Sequence, residues 1–400
     1  MKCIILFIFC VIFGNLNLAA QTVSGNLETK ITLGPGAGEI PDFFYGAEEY
    51  ANLRLKIPAG EYASVFSAFN LIAAAGSSAR IMAVSGTGFT GVYSFGENYA
   101  AVLELERLYV QFSTDSLGLS TGLLRIPFGY SLAWKPMDFL NPQNPLEPDA
   151  RLRGVLGIVF SFFPEKYHDM KFLVFAAAPQ DPFDLGGRGM RAGLSWDNHW
   201  QKASIQLLYC FESPASYKMY DPSGLSLIAQ DEYPFGLHRI GLSLKADLEL
   251  GLTAECFYIV NPDKNPGIND LSASAGVDYS FFGGKLYILA EYLFSGLESV
   301  SAQSASLPAG HTGSHYLYAA GIWNWSDFSS ITVACAANLE DLSFTPIVFW
   351  QYEFIQGMTV SFRVHVPLDR GSFNAGDPGE FGPQKSGNYA CFIAGLKIKF

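Results

Sequence analysis

The sequence predicts an all-β chain, a transmembrane antiparallel up-and-down β-barrel. Three observations carry the prediction. Segment after segment alternates apolar and polar residues with period two, and the connections between segments alternate short and long. In addition, 49% hydrophobic and 15% aromatic residues are spread along 400 residues, with no apolar run after residue 20 that approaches helix-spanning length. In lipid every backbone N–H and C=O needs a protein partner, which only helices and closed barrels provide, so this diluted apolar content selects a barrel.

At the start, Lys2 precedes an apolar run from Cys3 to Phe13, with small residues at Ala19 and Ala20. That pattern predicts a secretory signal peptide over residues 1–20, too short to span a bilayer, and a barrel domain over 21–400 beginning at Gln21. The formal net charge of −12 becomes −13 once Lys2 is lost, because residues 1–20 carry no acid. A basic nucleic-acid surface is excluded. Cys210, Cys256, Cys335 and Cys391 fall on four separate predicted strands without metal-type spacing, so they read as small apolar wall residues.

Taken in order, alternation marks strands near 23–33, 45–57, 61–74, 101–112, 117–126, 153–162, 169–178, 188–197 and 200–211. It continues through 235–246, 248–260, 270–282, 284–295, 315–325, 327–338, 341–353, 357–367 and 388–400. That makes about 18 strands; merging or splitting a hairpin would give 16 or 14. Short links at 58–60, 114–116, 198–199, 247, 283 and 326 are separated by long ones at 34–44, 75–100, 127–152, 179–187, 212–234, 261–269, 296–314 and 368–387. Both termini fall on the short-turn side, which requires an even strand number. One strand breaks its own rule: Glu104 and Glu106 share parity with Leu108, Val110 and Phe112, so a bulge or a local fold is expected near Arg107.

In the last strand Ala390, Phe392, Ala394, Leu396, Ile398 and Phe400 share one parity, against Tyr389, Gly395, Lys397 and Lys399 on the other. Gly395, Ile398 and a terminal Phe400 resemble the C-terminal assembly signal of bacterial outer-membrane β-barrels. The stretch Arg125–Gly154 is similar to a segment of porin-like outer-membrane families, carried here by Arg125, Trp134, Pro136, Asp138, Asn141-Pro142, Asn144-Pro145, Arg151 and Arg153. The resemblance implies a porin-like channel in the bacterial outer membrane, contacts with membrane lipid, and delivery to the barrel assembly machinery through the last strand. By count, 127–152 is the third long loop, the one that in general porins folds into the lumen. Its prolines restrict the backbone and remove donors, so it can hold a shape without strand pairing. Loops 75–100 and 212–234 compete with it as constrictions.

Charges on polar parities are the candidate filter: Arg54, Lys56, Arg125, Arg239, Lys245 and Arg363 against Glu249, Glu255, Asp278 and Glu291, with Lys135, Asp138, Glu147, Asp149, Arg151 and Arg153 in the loop. Salt bridging that merely keeps the wall soluble is the competing reading of these charges. If the acid excess reaches the pore, cation preference follows. Catalytic signals are weak: no serine, histidine and acid are brought into a triad by spacing, His311 and His315 lie in a Gly-rich stretch, and Asp263, Asn265 and Asn269 lack the acid of a calcium loop. The sequence therefore predicts a non-enzymatic channel without cofactors, passing small hydrophilic solutes passively or with weak selectivity, and leaves a homo-oligomer open. The alternatives are an outer-membrane transporter of hydrophobic molecules of the fatty-acid type, or a structural or adhesin barrel.

Overall fold

The computed structural model describes residues 22–36, 43–79, 90–94, 98–141, 154–164, 170–177, 189–220, 227–233, 235–262, 271–296, 314–369, 381 and 389–400. Its strands are β1 (Thr22–Pro35), β2 (Phe43–Pro58), β3 (Ala63–Gly76), β4 (Thr90–Ser94), β5 (Tyr99–Ser113), β6 (Leu117–Leu124) and β7 (Val155–Phe162). They continue as β8 (Met170–Ala177), β9 (Arg191–His199), β10 (Ala203–Glu212), β11 (Ala215–Tyr220), β12 (Leu227–Tyr233), β13 (Leu237–Asp247) and β14 (Gly251–Val260). The last are β15 (Leu271–Phe281), β16 (Leu286–Ser295), β17 (His315–Ser326), β18 (Ser329–Asn338), β19 (Ser343–Ile355), β20 (Met358–His365) and β21 (Cys391–Lys399).

Eighteen of these form one closed antiparallel barrel, each strand paired with the next barrel strand in the chain. β21 closes it on β1 from Asn26↔Lys399 to Leu33↔Phe392. One further pair completes the seam: the Gly25 and Phe400 amides donate to each other's carbonyls at 2.9 and 3.1 Å. Closure removes the two free edges that an open sheet would present to lipid. All eighteen strands read from alternation are present. The three others lie within long loops and were missed: β11 pairs with β12 as a separate hairpin, and β4 lies against β5.

The two faces divide as the alternation requires. On β7, Leu156, Ile158, Phe160 and Phe162 point outward, each at least 40% exposed, while Val159 is buried inside. On β21, Phe392, Leu396 and Phe400 are exposed outside, while Cys391 and Gly395 are buried inside. Such a belt of exposed large apolar side chains around a soluble protein would be an aggregation surface; it matches the outward apolar band of transmembrane barrels.

The expected bulge is present. Ala68 pairs with Arg107 but Phe69 pairs with Leu105, so Glu106 is the extra residue. It lets Glu104 and Glu106 turn inward, both nearly buried, while Val110 and Phe112 below it face outward. The acids then meet an inner polar cluster: Asn52 Nδ2 donates to Asn70 Oδ1 and to Glu106 Oε2 at 2.6 and 3.1 Å, and Asn70 Nδ2 donates to Glu104 Oε2 at 2.9 Å.

β6 stops two residues earlier than its alternation predicts, because after Leu124 the chain leaves the wall and enters the lumen. β4 then occupies the edge of β5 that β6 vacates, from Thr90↔Glu104 to Ser94↔Ala100. β14 starts at Gly251, not at 248, which corrects one candidate: Glu249 is exposed in the β13–β14 turn.

Candidate functional site: a segment laid across the inner wall

Residues 129–134 run across the inside of the barrel nearly one strand per residue, and their backbone amides bind side chains of the wall. Gly129 N–H donates to Gln206 Oε1 of β10 at 2.6 Å, and Tyr130 N–H to Ser243 Oγ of β13 at 3.0 Å. Ser131 N–H donates to Glu255 Oε1 of β14 at 2.7 Å, and its hydroxyl meets Ser274 Oγ of β15 at 2.8 Å. The amides of Leu132, Ala133 and Trp134 all converge on Glu291 of β16, at 2.9, 3.1 and 2.7 Å. An irregular backbone inside a barrel carries unpaired donors; carboxylates are the strongest acceptors for them, because hydrogen bonds to a charged acceptor are about twice as strong as neutral ones.

Beyond Trp134 the segment doubles back. Asp138 N–H donates to the Lys135 carbonyl at 3.0 Å and Asn141 N–H to the Asp138 carbonyl at 3.2 Å. Asn141 Oδ1 then accepts from Ile126 N–H at 2.9 Å and ties the two ends together. The apolar side chains between them, Ile126, Phe128, Met137, Phe139 and Leu140, pack on Leu173 and Phe175 of β8, Leu208 of β10 and Phe257 of β14. A second cluster sets Ala133 and Trp134 against Leu293, Tyr316 and Phe381. Two glycines make room: Gly129 has φ +83° and a side chain there would meet the Glu255 carboxylate, while a Cβ on Gly241 would meet the Met137 side chain.

The charges under this segment are paired or buried. Arg239 and Arg191 both donate to Glu212 Oε2, from Nη2 of Arg239 at 2.7 Å and Nε of Arg191 at 3.0 Å, and their guanidinium groups lie 5.1 and 5.7 Å from the centre of the Phe139 ring. Asp138 is 1% exposed, and its Oδ2 faces Arg125 Nη2 at 3.9 Å. Burial pushes the Asp138 carboxyl up to about 7, against the pull of Arg125 and Lys135. Burial beside Asp197 likewise raises Tyr130, whose hydroxyl donates to Asp197 Oδ1 at 3.4 Å.

The sequence-derived candidates therefore separate into groups. Glu255, Glu291 and Asp138 are buried with the segment, and Arg239 is buried beneath it, so none of the four presents its charge to solution. Arg125 stands where the segment leaves the wall, and Lys135 sits in its turn. Lys245 pairs with Asp247 at 3.2 Å, and Asp278 lies beside Gly251 near the short-turn end. Arg363 stacks on Phe349 at 5.0 Å. Arg54 is exposed on an inward position of β2. Glu147, Asp149, Arg151 and Arg153 lie outside the described residues, as do His311, Asp263, Asn265 and Asn269. In the terminal signal, Gly395 faces inward, where a Cβ would meet Ser361 Oγ, while Ile398 and Phe400 have outward parity. Sequence reasoning missed Gln206, Ser243, Ser274, Arg191 and Glu212. Inward parity was the available signal for the first four; Glu212 was assigned to a loop.

No family model and no curated sequence matches this chain. Solved structures do. OccAB4 of Acinetobacter baumannii superposes with a TM-score of 0.57 at 8% identity, covering 96% of this chain and 99% of that one. A BenF-like porin from Pseudomonas fluorescens Pf-5 gives 0.56 at 8% identity, with the same coverage. At this identity the likeness establishes a shared fold, the closed barrel of porin structures.

Proposed function

We propose that this protein is a porin-like channel of a bacterial outer membrane that passes small hydrophilic solutes passively. The observation that carries the reading is the division of the lumen: residues 125–141 cover the inner wall from β8 to β17 and bury its acids, and the wall from β20 through β1 to β2 keeps polar and charged side chains on its inner face. An 18-strand barrel is wide enough for an aqueous channel, and a segment fixed against one side narrows it without closing it. The apolar inner surface is occupied by the segment's own side chains, which favours polar solutes over hydrophobic ones. The polar groups gathered in the lumen serve to hold backbone, so transport fits them better than catalysis. On this reading the chain is exported, and its last strand engages the barrel assembly machinery.

Purified protein in a planar bilayer should give stepwise conductance, and liposomes containing it should swell in isotonic solutions of small sugars. Neither conductance nor swelling from protein with β-dominated circular dichroism would overturn the reading.

A further inference from the structure

Across β20, β21, β1 and β2 the inward residues form rows, and each of six successive rows contains one base. Arg363 stands in the row of Thr32, through Arg363↔Ile393 and Ile393↔Thr32. Lys30 occupies the next row, then Lys397 opposite Glu28, Lys399 opposite Asn26, Arg54 opposite Ser24 and Lys56 opposite Thr22. Rows are two residues apart, so the bases follow one another at roughly 7 Å along the wall.

The upper and lower rows differ. Glu28 accepts from Lys30 at 3.3 Å and from Lys397 at 3.7 Å, and Glu48 stands opposite Lys30. On β1, β2 and β3 the three lower rows hold no acid: their other inward residues are Asn26, Asn52, Asn70, Ser24, Ala68, Thr22 and Phe66. The acids next along, Glu104 and Glu106 of β5, are engaged by Asn70 and Asn52, and Glu106 also by Arg107 at 3.6 Å. Lys399, Arg54 and Lys56 have no ion-pair partner among the described residues. Asn26 is 9% exposed, and its Nδ2 donor is unpaired; the unpaired Oδ1 of Asn52, opposite it, does not accept from it. Lys399 also borders a polar cavity with Asp327 and Glu353, but Glu353 Oε1 is already engaged with Gly357 N–H at 2.7 Å.

We propose that Lys399, Arg54 and Lys56, with the amide of Asn26, form a binding station for small oxyanions, either organic carboxylates or inorganic phosphate. The inference rests on the channel reading above and supplies its solute class. Three cations without an ion-pair partner and an unfilled buried donor, across the lumen from Glu255 and Glu291 that the inward segment covers, give this part of the open path a positive field, although the whole chain is acidic. An oxyanion takes charge-assisted hydrogen bonds from lysine and arginine, which a neutral sugar cannot match.

The test uses the full-length protein in planar bilayers, with reversal potentials in a potassium chloride gradient and block of chloride current by succinate and by phosphate. Wild type should prefer chloride over potassium and be blocked at millimolar concentration by at least one of the two anions, the difference between them identifying the source. The triple variant Arg54→Gln/Lys56→Gln/Lys399→Gln should lose the anion preference and be blocked roughly tenfold or more weakly, and Arg54→Lys should retain both. Correct folding of each variant is checked by its heat-modifiable gel mobility. Conductance with potassium preference, or block unchanged in the triple variant, overturns the station and leaves the channel standing. Should wild type not conduct, the channel reading falls, and calorimetric titration of detergent-solubilised protein with succinate and phosphate decides the station alone: saturable heat lost in the triple variant supports it, and no heat in wild type overturns it.

Discussion

The wall from β8 to β17 and the wall from β20 through β1 to β2 are built on the same alternation, yet they have opposite fates. On the first, inward polar side chains are acceptors for a backbone segment, and the inward apolar ones are its packing partners. On the second, Ser77 and Ser78 lie against the inner face at Gly46, and lower on the wall Arg54, Lys56 and Lys399 have no ion-pair partner among the described residues. Charge on the inner face of a barrel therefore has two uses, fixing a structure within the lumen or acting on what passes through it. Parity alone does not distinguish them.

The largest expected effect comes from breaking the covered wall at its strongest contacts. In Glu255→Ala/Glu291→Ala the amides of Ser131, Leu132, Ala133 and Trp134 lose their acceptors. Each unpaired buried donor costs about 1–3 kcal/mol, more than the segment's remaining contacts can be expected to offset in full. Single-channel conductance should rise several-fold while strand content stays constant; unchanged conductance would mean that residues 129–134 do not limit the pore.

Next is the charge triad. Glu212→Ala leaves Arg191 and Arg239 buried without a counter-charge, and breaking a buried pair in this way costs about 3–5 kcal/mol. The urea midpoint for unfolding should fall markedly, whereas Lys399→Gln on the uncovered wall should leave it nearly unchanged. Equal sensitivity of the two would erase the distinction between the walls.

A pH series sharpens the comparison further. The Asp138 carboxyl sits at about 7 in the folded protein, above its ordinary value of 3.8. A raised acid favours the folded state while it is protonated, so its contribution is complete below about pH 4 and is lost as pH rises through about 7. The full shift corresponds to roughly 4 kcal/mol. Wild type should lose stability between about pH 4 and 7, and Asp138→Asn should not; a parallel loss in the variant would place the titration elsewhere.

How much of this was legible follows from range. Every barrel strand could be read, because alternation is local and eighteen hairpin-linked repeats of it reinforce one another. The bulge at Glu106 could be read as a conflict of parity within one strand. That Glu255 and Glu291 face inward was equally local. What they bind was not, since their partners lie 124 and 157 residues away at Ser131 and Trp134, and the donors are backbone amides, which every residue but proline has. The same limit bears on the cation preference expected from the acid excess: composition counts charges but does not show which are already engaged.

The smallest expected effect tests the covered wall at a single atom. Gly129 has φ +83°, a conformation that costs an L-residue about 1–2 kcal/mol, and the Cβ of an alanine there would meet the Glu255 carboxylate. That carboxylate accepts from Ser131 N–H at 2.7 Å and from the Ser243 hydroxyl at 3.2 Å, so it cannot withdraw without giving up contacts on both sides. The alternative is for the segment to shift away from β10 and β14, weakening the Gly129 N–H bond to Gln206, while the three amides on Glu291 remain in place. Gly129→Ala should therefore raise conductance slightly, well below the effect of the Glu255→Ala/Glu291→Ala pair, and increase open-channel noise as the loosened half of the segment moves. Because the change lies on the covered wall, the ratio of chloride to potassium permeability should stay at the wild-type value. A shift in that ratio would show that the segment, and not the bases of β21 and β2, sets the charge seen by a passing ion.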